Sequence, residues 1–144
     1  MIDAWRPDRL SELSLPCCHF NYQFLTWRSG MNYYLDLVWT QRSADLMVGV
    51  PSDMITATIM LNQFASLAGY TPNRVYFNMG DVHIYEENDY DAYKLITNVW
   101  NNKPRAHHPV YKFRKQDDLY SFQPGDIDLS NYRHYDPVRF KLMV

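Results

Sequence analysis

Two neighbouring aromatic segments constrain the fold of this chain more than any other feature. Residues 19–27 (HFNYQFLTW) and 32–41 (NYYLDLVWTQ) alternate apolar and polar side chains, which is typical of β-strands that are buried on one face. The residues between them, 28–31 (RSGM), include a glycine that suits a turn. The pattern therefore predicts a long antiparallel hairpin.

A helix is expected after the hairpin. Residues 53–68 carry apolar side chains three or four positions apart, and Gly69 is placed to cap the helix. The apolar face consists of Ala57, Met60, Leu61, Phe64, Ala65 and Ala68. Further along we expect a strand at residues 74–79, a helix at 86–99, a strand at 110–115 and a turn-rich polar tail at 123–137. Mixed strands and helices without a doubly wound pattern predict an α+β fold, and 144 residues suit one domain, 1–144.

Charge and composition argue against several classes of protein. The net charge of −2 at pH 7 disfavours non-specific nucleic-acid binding and a basic membrane-binding surface. No run reaches the roughly 18 apolar residues of a membrane span, and the N-terminus (MIDAWRPDRL) is too polar for a signal peptide. The adjacent Cys17 and Cys18 close no useful loop. We therefore expect one or both thiols to be free and a reducing, cytoplasmic compartment, which is the host cytoplasm if a phage encodes the chain.

Two clusters carry residues suited to catalysis or binding. Cys18 and His19 follow Pro16 at a turn-to-strand junction, where the thiol is either a nucleophile or a buried small apolar group. Residues 41–45 (QRSAD) offer a guanidinium and a hydroxyl group to a phosphate, or they form a solvated strand end.

A third cluster, residues 81–85 (DVHIY), would project polar side chains to one side if it is extended. Neither Asp81 with His83 nor His107 with His108 has the number and spacing of ligands that a metal site needs. We therefore expect no bound metal, and we expect His107 and His108 in an exposed loop.

Taken in order, these clusters resemble a known family. The segments LPCCHFNYQF, QRSADLMVGVPSD and GDVHIY, followed by a tail with YDP, are similar to the C-terminal part of the thymidylate synthase family. The resemblance extends over nearly the whole chain and rests on four ordered motifs with compatible spacing. It implies the family's α+β arrangement of a sheet and helices.

The resemblance implies covalent catalysis by Cys18. In the family the cysteine of the LPPCH motif attacks carbon 6 of a pyrimidine in a nucleoside monophosphate. Carbon 5 then becomes nucleophilic enough to accept a one-carbon unit from methylenetetrahydrofolate. Cys17 stands in place of the motif's second proline, so a structural role is expected for it, while His19 is expected to support the site by hydrogen bonding.

The resemblance also implies ligands for the nucleotide. Arg42 and Ser43 match the residues that hold the 5′-phosphate, and the positive charge of Arg42 would favour the Cys18 thiolate. Gln41 belongs to the same motif and is expected to order the pocket.

Three further residues match family positions at the sugar and the folate. Asp45 corresponds to the carboxylate associated with the folate and with the water network of the site. His83 and Tyr85 correspond to the pair that binds the ribose 3′-hydroxyl group.

Base recognition departs from the family pattern. The family's VPFN reads VPSD here, so Asp53 stands where an asparagine reads the base. An ionised carboxylate only accepts hydrogen bonds, which suits the amino group of cytosine, whereas a protonated one can imitate asparagine facing uracil. The related phage deoxycytidylate hydroxymethylases carry the same exchange. We place methylation of dUMP to dTMP ahead of hydroxymethylation of dCMP because the other motifs favour thymidylate synthase.

Length is the second departure, since family members exceed 200 residues. The resemblance implies that their N-terminal part is lacking here, including paired arginines that reach the partner subunit's phosphate and a glutamate that manages protons. We expect either a homodimer or a partner chain that supplies the N-terminal half. A non-catalytic, nucleotide-binding chain is the rival interpretation.

Overall fold

The computed structural model describes residues 1–102, 109–115, 117–132, 134 and 136–143. The loop predicted at His107 and His108, and Tyr135 of the YDP motif, lie outside these residues. A four-stranded sheet has the order β1-β2-β3-β4 and consists of Ile2–Asp3, His19–Ser29, Asn32–Asp45 and Thr71–His83.

The predicted hairpin is confirmed. Strands β2 and β3 pair antiparallel, with a register that runs from His19 opposite Gln41 to Ser29 opposite Asn32. Gly30 occupies the turn with φ +59°, a conformation that glycine adopts without steric cost. The register shifts between His19 and Asn21, so a bulge marks the start of β2.

Helix α1, Gly49–Ala68, follows β3 and begins four residues earlier than the pattern predicted. Pro51 lies in its first turn, where the missing N–H of proline costs little. Gly69 ends the helix at φ +69°, and its N–H points to the carbonyl groups of Ala65 and Ser66. Ala68 was expected on the buried face and is exposed, because the core that the helix covers ends at Ala65.

Strand β4 runs parallel to β3, with α1 as the crossover. It is twice as long as the predicted strand at 74–79, because residues that signal turns in the sequence, such as Pro72 and Gly80, lie within its pairing with β3. Its register ends at Asp45 opposite His83. The carboxyl ends of both strands therefore lie side by side at one edge of the sheet.

The core lies between α1 and one face of the sheet. It is formed by Tyr22, Leu35, Leu37, Trp39, Ala57, Leu61 and Ala65. On the opposite face Trp27 and Tyr76 are 42% and 43% exposed. Asp36 is buried on that face and accepts hydrogen bonds from the Trp27 indole (3.1 Å) and the Asn73 amide (2.7 Å). One face of the sheet thus remains without a helical layer in the described chain.

The C-terminal part adds helix α2, Glu86–Asn102, and a second, antiparallel sheet of β5, Val110–Phe113, and β6, Ile127–Ser130. The prediction of a turn-rich tail was wrong at β6, whose alternation is too polar to read as a strand without its partner β5. No described helix is long and apolar enough to span a membrane. The α+β prediction is confirmed.

Candidate active site

Residues 16–18, called the cysteine segment below, are attached to the sheet by Arg42 of β3. The backbone N–H of Arg42 donates to the carbonyl oxygen of Cys18 (2.9 Å). Its guanidinium donates through Nε to the Cys17 carbonyl oxygen (3.2 Å) and through Nη2 to the Pro16 carbonyl oxygen (2.7 Å). These bonds fix the position of both cysteines relative to β3 although they lie outside the strands.

The same guanidinium lies beside the Cys18 thiol. Nη2 of Arg42 is 3.8 Å from Sγ of Cys18. Cys18 is half-buried and Arg42 is exposed, so both groups can meet a ligand from solvent.

Gly80 permits the backbone geometry at Arg42. A Cβ atom built on Gly80 would overlap the carbonyl oxygen of Arg42 and lie 3.0 Å from its carbonyl carbon. These neighbours are backbone atoms of β3 and cannot rotate away. The sequence analysis missed Gly80, although a glycine inside a strand is a signal for close backbone approach.

His19 is held by aromatic neighbours. Its Nδ1 forms a hydrogen bond with the Tyr22 hydroxyl group, and its ring lies 4.8 Å from the Trp39 ring. Burial, together with the charges of Cys17 and Asp53, raises the pKa of Tyr22 to about 12. The hydroxyl group therefore stays protonated near neutral pH. Tyr22 was missed in the sequence, where it reads only as one more apolar residue of the strand.

Gln41 is buried on β3, opposite His19 of β2. It is 2% exposed, its Oε1 accepts from the Trp39 indole (2.8 Å), and its Nε2 donates to the Ser43 carbonyl oxygen (3.1 Å). The Gln41 side chain also acts on Asp53 of helix α1, where it opposes the rise in the pKa of the carboxyl group that burial causes.

Asp53 reaches the cysteine segment from the start of α1. Burial raises the pKa of this carboxyl group, whereas the charge of His19 and the hydrogen bond from Gln41 oppose the rise. Burial raises the pKa of Cys17, with smaller contributions from Cys18 and Asp53, while the charge of Arg42 opposes the rise. Burial, His19 and Gln41 therefore jointly set the pKa of the Asp53 carboxyl group.

Asp45, His83 and Tyr85 form a second group at the carboxyl ends of β3 and β4. Oδ1 of Asp45 accepts the Met47 N–H (3.0 Å) just before α1. Nδ1 of His83 lies 3.2 Å from the Asp81 carbonyl oxygen. The His83 and Tyr85 rings meet edge to face at 4.9 Å. Asp45 lies three residues after Arg42 on β3, so this group is close along the strand to the contact between Arg42 and Cys18.

The family model for thymidylate synthase matches residues 1–144. The chain belongs to the thymidylate synthase family. Among the described residues that resemble the family's motifs, Cys18 lies beside Arg42, and Asp45 lies opposite His83 at the carboxyl ends of β3 and β4.

Three curated relatives bear the same family name. The thymidylate synthase of Enterobacteria phage T4 is 29% identical over 156 residues, which are 100% of this chain and 52% of the relative. A probable thymidylate synthase of Escherichia phage T5 is 35% identical over 105 residues, covering 73% and 35% of the two chains. One from Schizosaccharomyces pombe is 28% identical over 150 residues, covering 100% and 23%. The chain spans about half the length, or less, of these relatives.

Proposed function

We propose that the chain carries the nucleophile and most of the nucleotide-binding residues of a thymidylate synthase. The reaction transfers a one-carbon unit from methylenetetrahydrofolate to carbon 5 of a pyrimidine deoxynucleoside monophosphate, with dUMP converted to dTMP. One observation carries the proposal. The guanidinium of Arg42, a group suited to binding a phosphate, lies 3.8 Å from the Cys18 thiol, so one site can hold a nucleotide phosphate beside a nucleophilic sulfur.

Cys18 acts as the nucleophile in this proposal. Its thiolate adds to carbon 6 of the pyrimidine, and the resulting electron density makes carbon 5 able to attack the one-carbon unit. Arg42 and Ser43 hold the 5′-phosphate and so position the ring over the thiol. Arg42 already donates through Nε and Nη2 to the Cys17 and Pro16 carbonyl oxygens, so Nη1 is the nitrogen that donates to the phosphate in this proposal.

Asp53 reads the base, and its neighbours set its protonation. The burial that raises its pKa favours the protonated form, which can donate to uracil O4 and accept from N3–H as an asparagine would. His19, positioned by Tyr22, supports this network by hydrogen bonding. Gln41 keeps the carboxyl group in place.

Asp45, His83 and Tyr85 complete the site. His83 and Tyr85 bind the ribose 3′-hydroxyl group, for which an imidazole and a phenol are suitable partners. Asp45 holds the folate, which supplies the one-carbon unit. A carboxylate oriented by the Met47 N–H (3.0 Å) is a fitting acceptor for N–H groups of a folate ring and for ordered water.

Hydroxymethylation of dCMP is the second candidate, and Asp53 is the observation that favours it. An ionised Asp53 accepts from the amino group of cytosine but opposes the lone pairs of uracil O4. The hydrogen bond from Gln41 and the charge of His19 favour ionisation. Substrate choice therefore depends on the balance between these groups and burial.

A partner is also part of the proposal. The chain exposes 10771 Å² of surface, whereas a compact monomer of 17.2 kDa exposes about 7,800 Å². A second copy against the uncovered sheet face, an N-terminal half chain, or both would bury such an excess. A non-catalytic chain that only binds nucleotide remains the rival hypothesis.

Release of tritium from carbon 5 of labelled dUMP and dCMP tests the proposal. The chain is assayed with methylenetetrahydrofolate, alone and with an N-terminal half from a family member. Release from dUMP supports thymidylate synthase, and release from dCMP supports the hydroxymethylase. No release from either nucleotide with both halves present would contradict the enzymatic proposal and favour the binding chain.

A further inference from the structure

The two cysteines differ in their surroundings although they are neighbours. Sγ of Cys18 lies 3.8 Å from the Arg42 guanidinium, while the Cys17 thiol donates to the His19 carbonyl oxygen (2.7 Å). Both side chains are half-buried. One sulfur is thus placed beside a cation and the other is held as a protonated donor.

We propose that Cys17 and Cys18 form a peroxide-sensitive pair, in which a hydroperoxide oxidises Cys18 and Cys17 converts the product into a reversible disulfide. Redox-sensitive cysteines are thiolates that solvent can reach, and a second cysteine often lies next to them. Cys18 is partly exposed and lies beside the Arg42 guanidinium, and Cys17 is the neighbouring cysteine.

The chemistry balances without any further reactant. The Cys18 thiolate attacks the distal oxygen of the hydroperoxide, the O–O bond breaks, and the products are a sulfenic acid and an alkoxide that takes a proton. The Cys17 sulfur then attacks the Cys18 sulfur and expels the hydroxyl group, which leaves as water with the thiol proton. The two sulfurs lose two electrons in total, and the peroxide gains them.

The resulting disulfide would be easy to reduce. Neighbouring Cα atoms are about 3.8 Å apart across a trans peptide bond, and the structure contains no cis peptide among its described residues. Disulfides usually join Cα atoms that are about 4.4–6.8 Å apart, and departures strain the bond. A strained disulfide is readily reopened by a free thiol, so the pair would protect Cys18 from irreversible oxidation.

Oxidation would also act on the neighbouring arginine. Arg42 donates to the Cys17 carbonyl oxygen (3.2 Å), and this carbonyl group belongs to the peptide that the new ring would contain. Ring closure would therefore disturb the bonds that hold Arg42 against the segment. This effect on nucleotide binding rests on the function proposed above, whereas the thiol chemistry does not.

Mass spectrometry of the 144-residue chain tests the proposal directly, because the sequence has 2 cysteines and thus one possible internal pair. Treatment with one equivalent of hydrogen peroxide should give a chain that is lighter by two hydrogens and returns to its starting mass with dithiothreitol. The Cys17→Ser variant should instead gain one oxygen, react with dimedone and then gain more oxygen.

Two results would overturn the proposal. One is that the unmodified sequence gains oxygen as fast as the Cys17→Ser variant. The other is that it forms disulfide-linked dimers instead of the internal disulfide. The Cys18→Ser variant should keep its mass at the same dose. Because the readout is chemical, disulfide formation without tritium release would refute the proposed function and leave this inference standing.

Discussion

At the scale of single residues, two contacts define the site: the Cys18 thiol beside the Arg42 guanidinium, and the Tyr22 hydroxyl group bonded to His19. Ordered motifs brought Cys18 and Arg42 to attention, and the structure places their side chains 3.8 Å apart. Tyr22 was not recognised, because its contact with His19 depends on the bulge at the start of β2 and on the packing of Trp39. The alternation of apolar and polar residues in the sequence indicates which face of the sheet a side chain occupies. It does not indicate that the Tyr22 hydroxyl group forms a hydrogen bond with the His19 imidazole.

Replacing Tyr22 with phenylalanine tests its bond to His19. Loss of one hydrogen bond of this kind costs about 1 kcal/mol, so the free energy of unfolding of Tyr22→Phe should fall by about that amount in urea titrations. Tyr120→Phe is the matched control, since Tyr120 is 89% exposed, and it should leave stability unchanged. Equal stability of both variants would show that the Tyr22 bond contributes nothing.

Asp53 gives a prediction for pH dependence. Its pKa is raised by burial in the folded state, so the folded state binds its proton more tightly than the unfolded state does. This contribution to stability is complete at pH values below the ordinary pKa of aspartate and is lost as the pH rises through the raised value. Asp53→Asn lacks the titration.

The stability difference between Asp53→Asn and the unmodified sequence should therefore shift in favour of the variant as the pH rises through that window. Urea titrations at several pH values measure it, and a constant difference would contradict the raised pKa. The same variant should prefer dUMP over dCMP in the tritium assay. An unchanged preference would mean that another residue reads the base.

At the scale of secondary structure, the hairpin and α1 could be predicted because apolar periodicity sets them. Strand β4 was predicted too short and β6 was missed, because pairing with β3 and β5 overrides weak local preferences. Gly80 illustrates the cause. It looks like the end of a strand in the sequence, yet it lies inside β4 where the backbone approaches Arg42.

Gly80→Ala tests this close approach. The added methyl group would meet backbone atoms of Arg42, and overpacking of this kind costs about 1–3 kcal/mol. We expect a lower free energy of unfolding and weaker binding of dUMP, measured by urea titration and calorimetry. Gly125→Ala is the control, since nothing lies within 4 Å of its Cβ position. Equal stability and binding of the two variants would contradict the close approach.

At the scale of the whole molecule, one face of the four-stranded sheet has no helical layer over it among the described residues. This face carries Trp27 and Tyr76, which are 42% and 43% exposed. Aromatic side chains in an exposed sheet are typical of protein interfaces. The order of motifs indicated the family, but the extent of this face became visible only in the folded sheet.

A charge on the sheet face tests whether it binds a second copy. We expect the chain to sediment as a dimer and Tyr76→Glu to shift it to monomer, because association would bury an unpaired carboxylate. Tyr93→Glu, at a residue of α2 that is 70% exposed, should leave the dimer intact. A monomeric chain, or a dimer unaffected by Tyr76→Glu, would contradict self-association through this face.

The assignment of Cys18 as the nucleophile is tested most sharply by comparing the two cysteines in the tritium assay. Cys18→Ala and Cys17→Ala are each mixed with an N-terminal half from a family member, dUMP, dCMP and methylenetetrahydrofolate, and nucleotide binding is measured in parallel. We predict that Cys18→Ala loses tritium release while it still binds nucleotide, and that Cys17→Ala retains both. Tritium release by Cys18→Ala would contradict its assignment as the nucleophile.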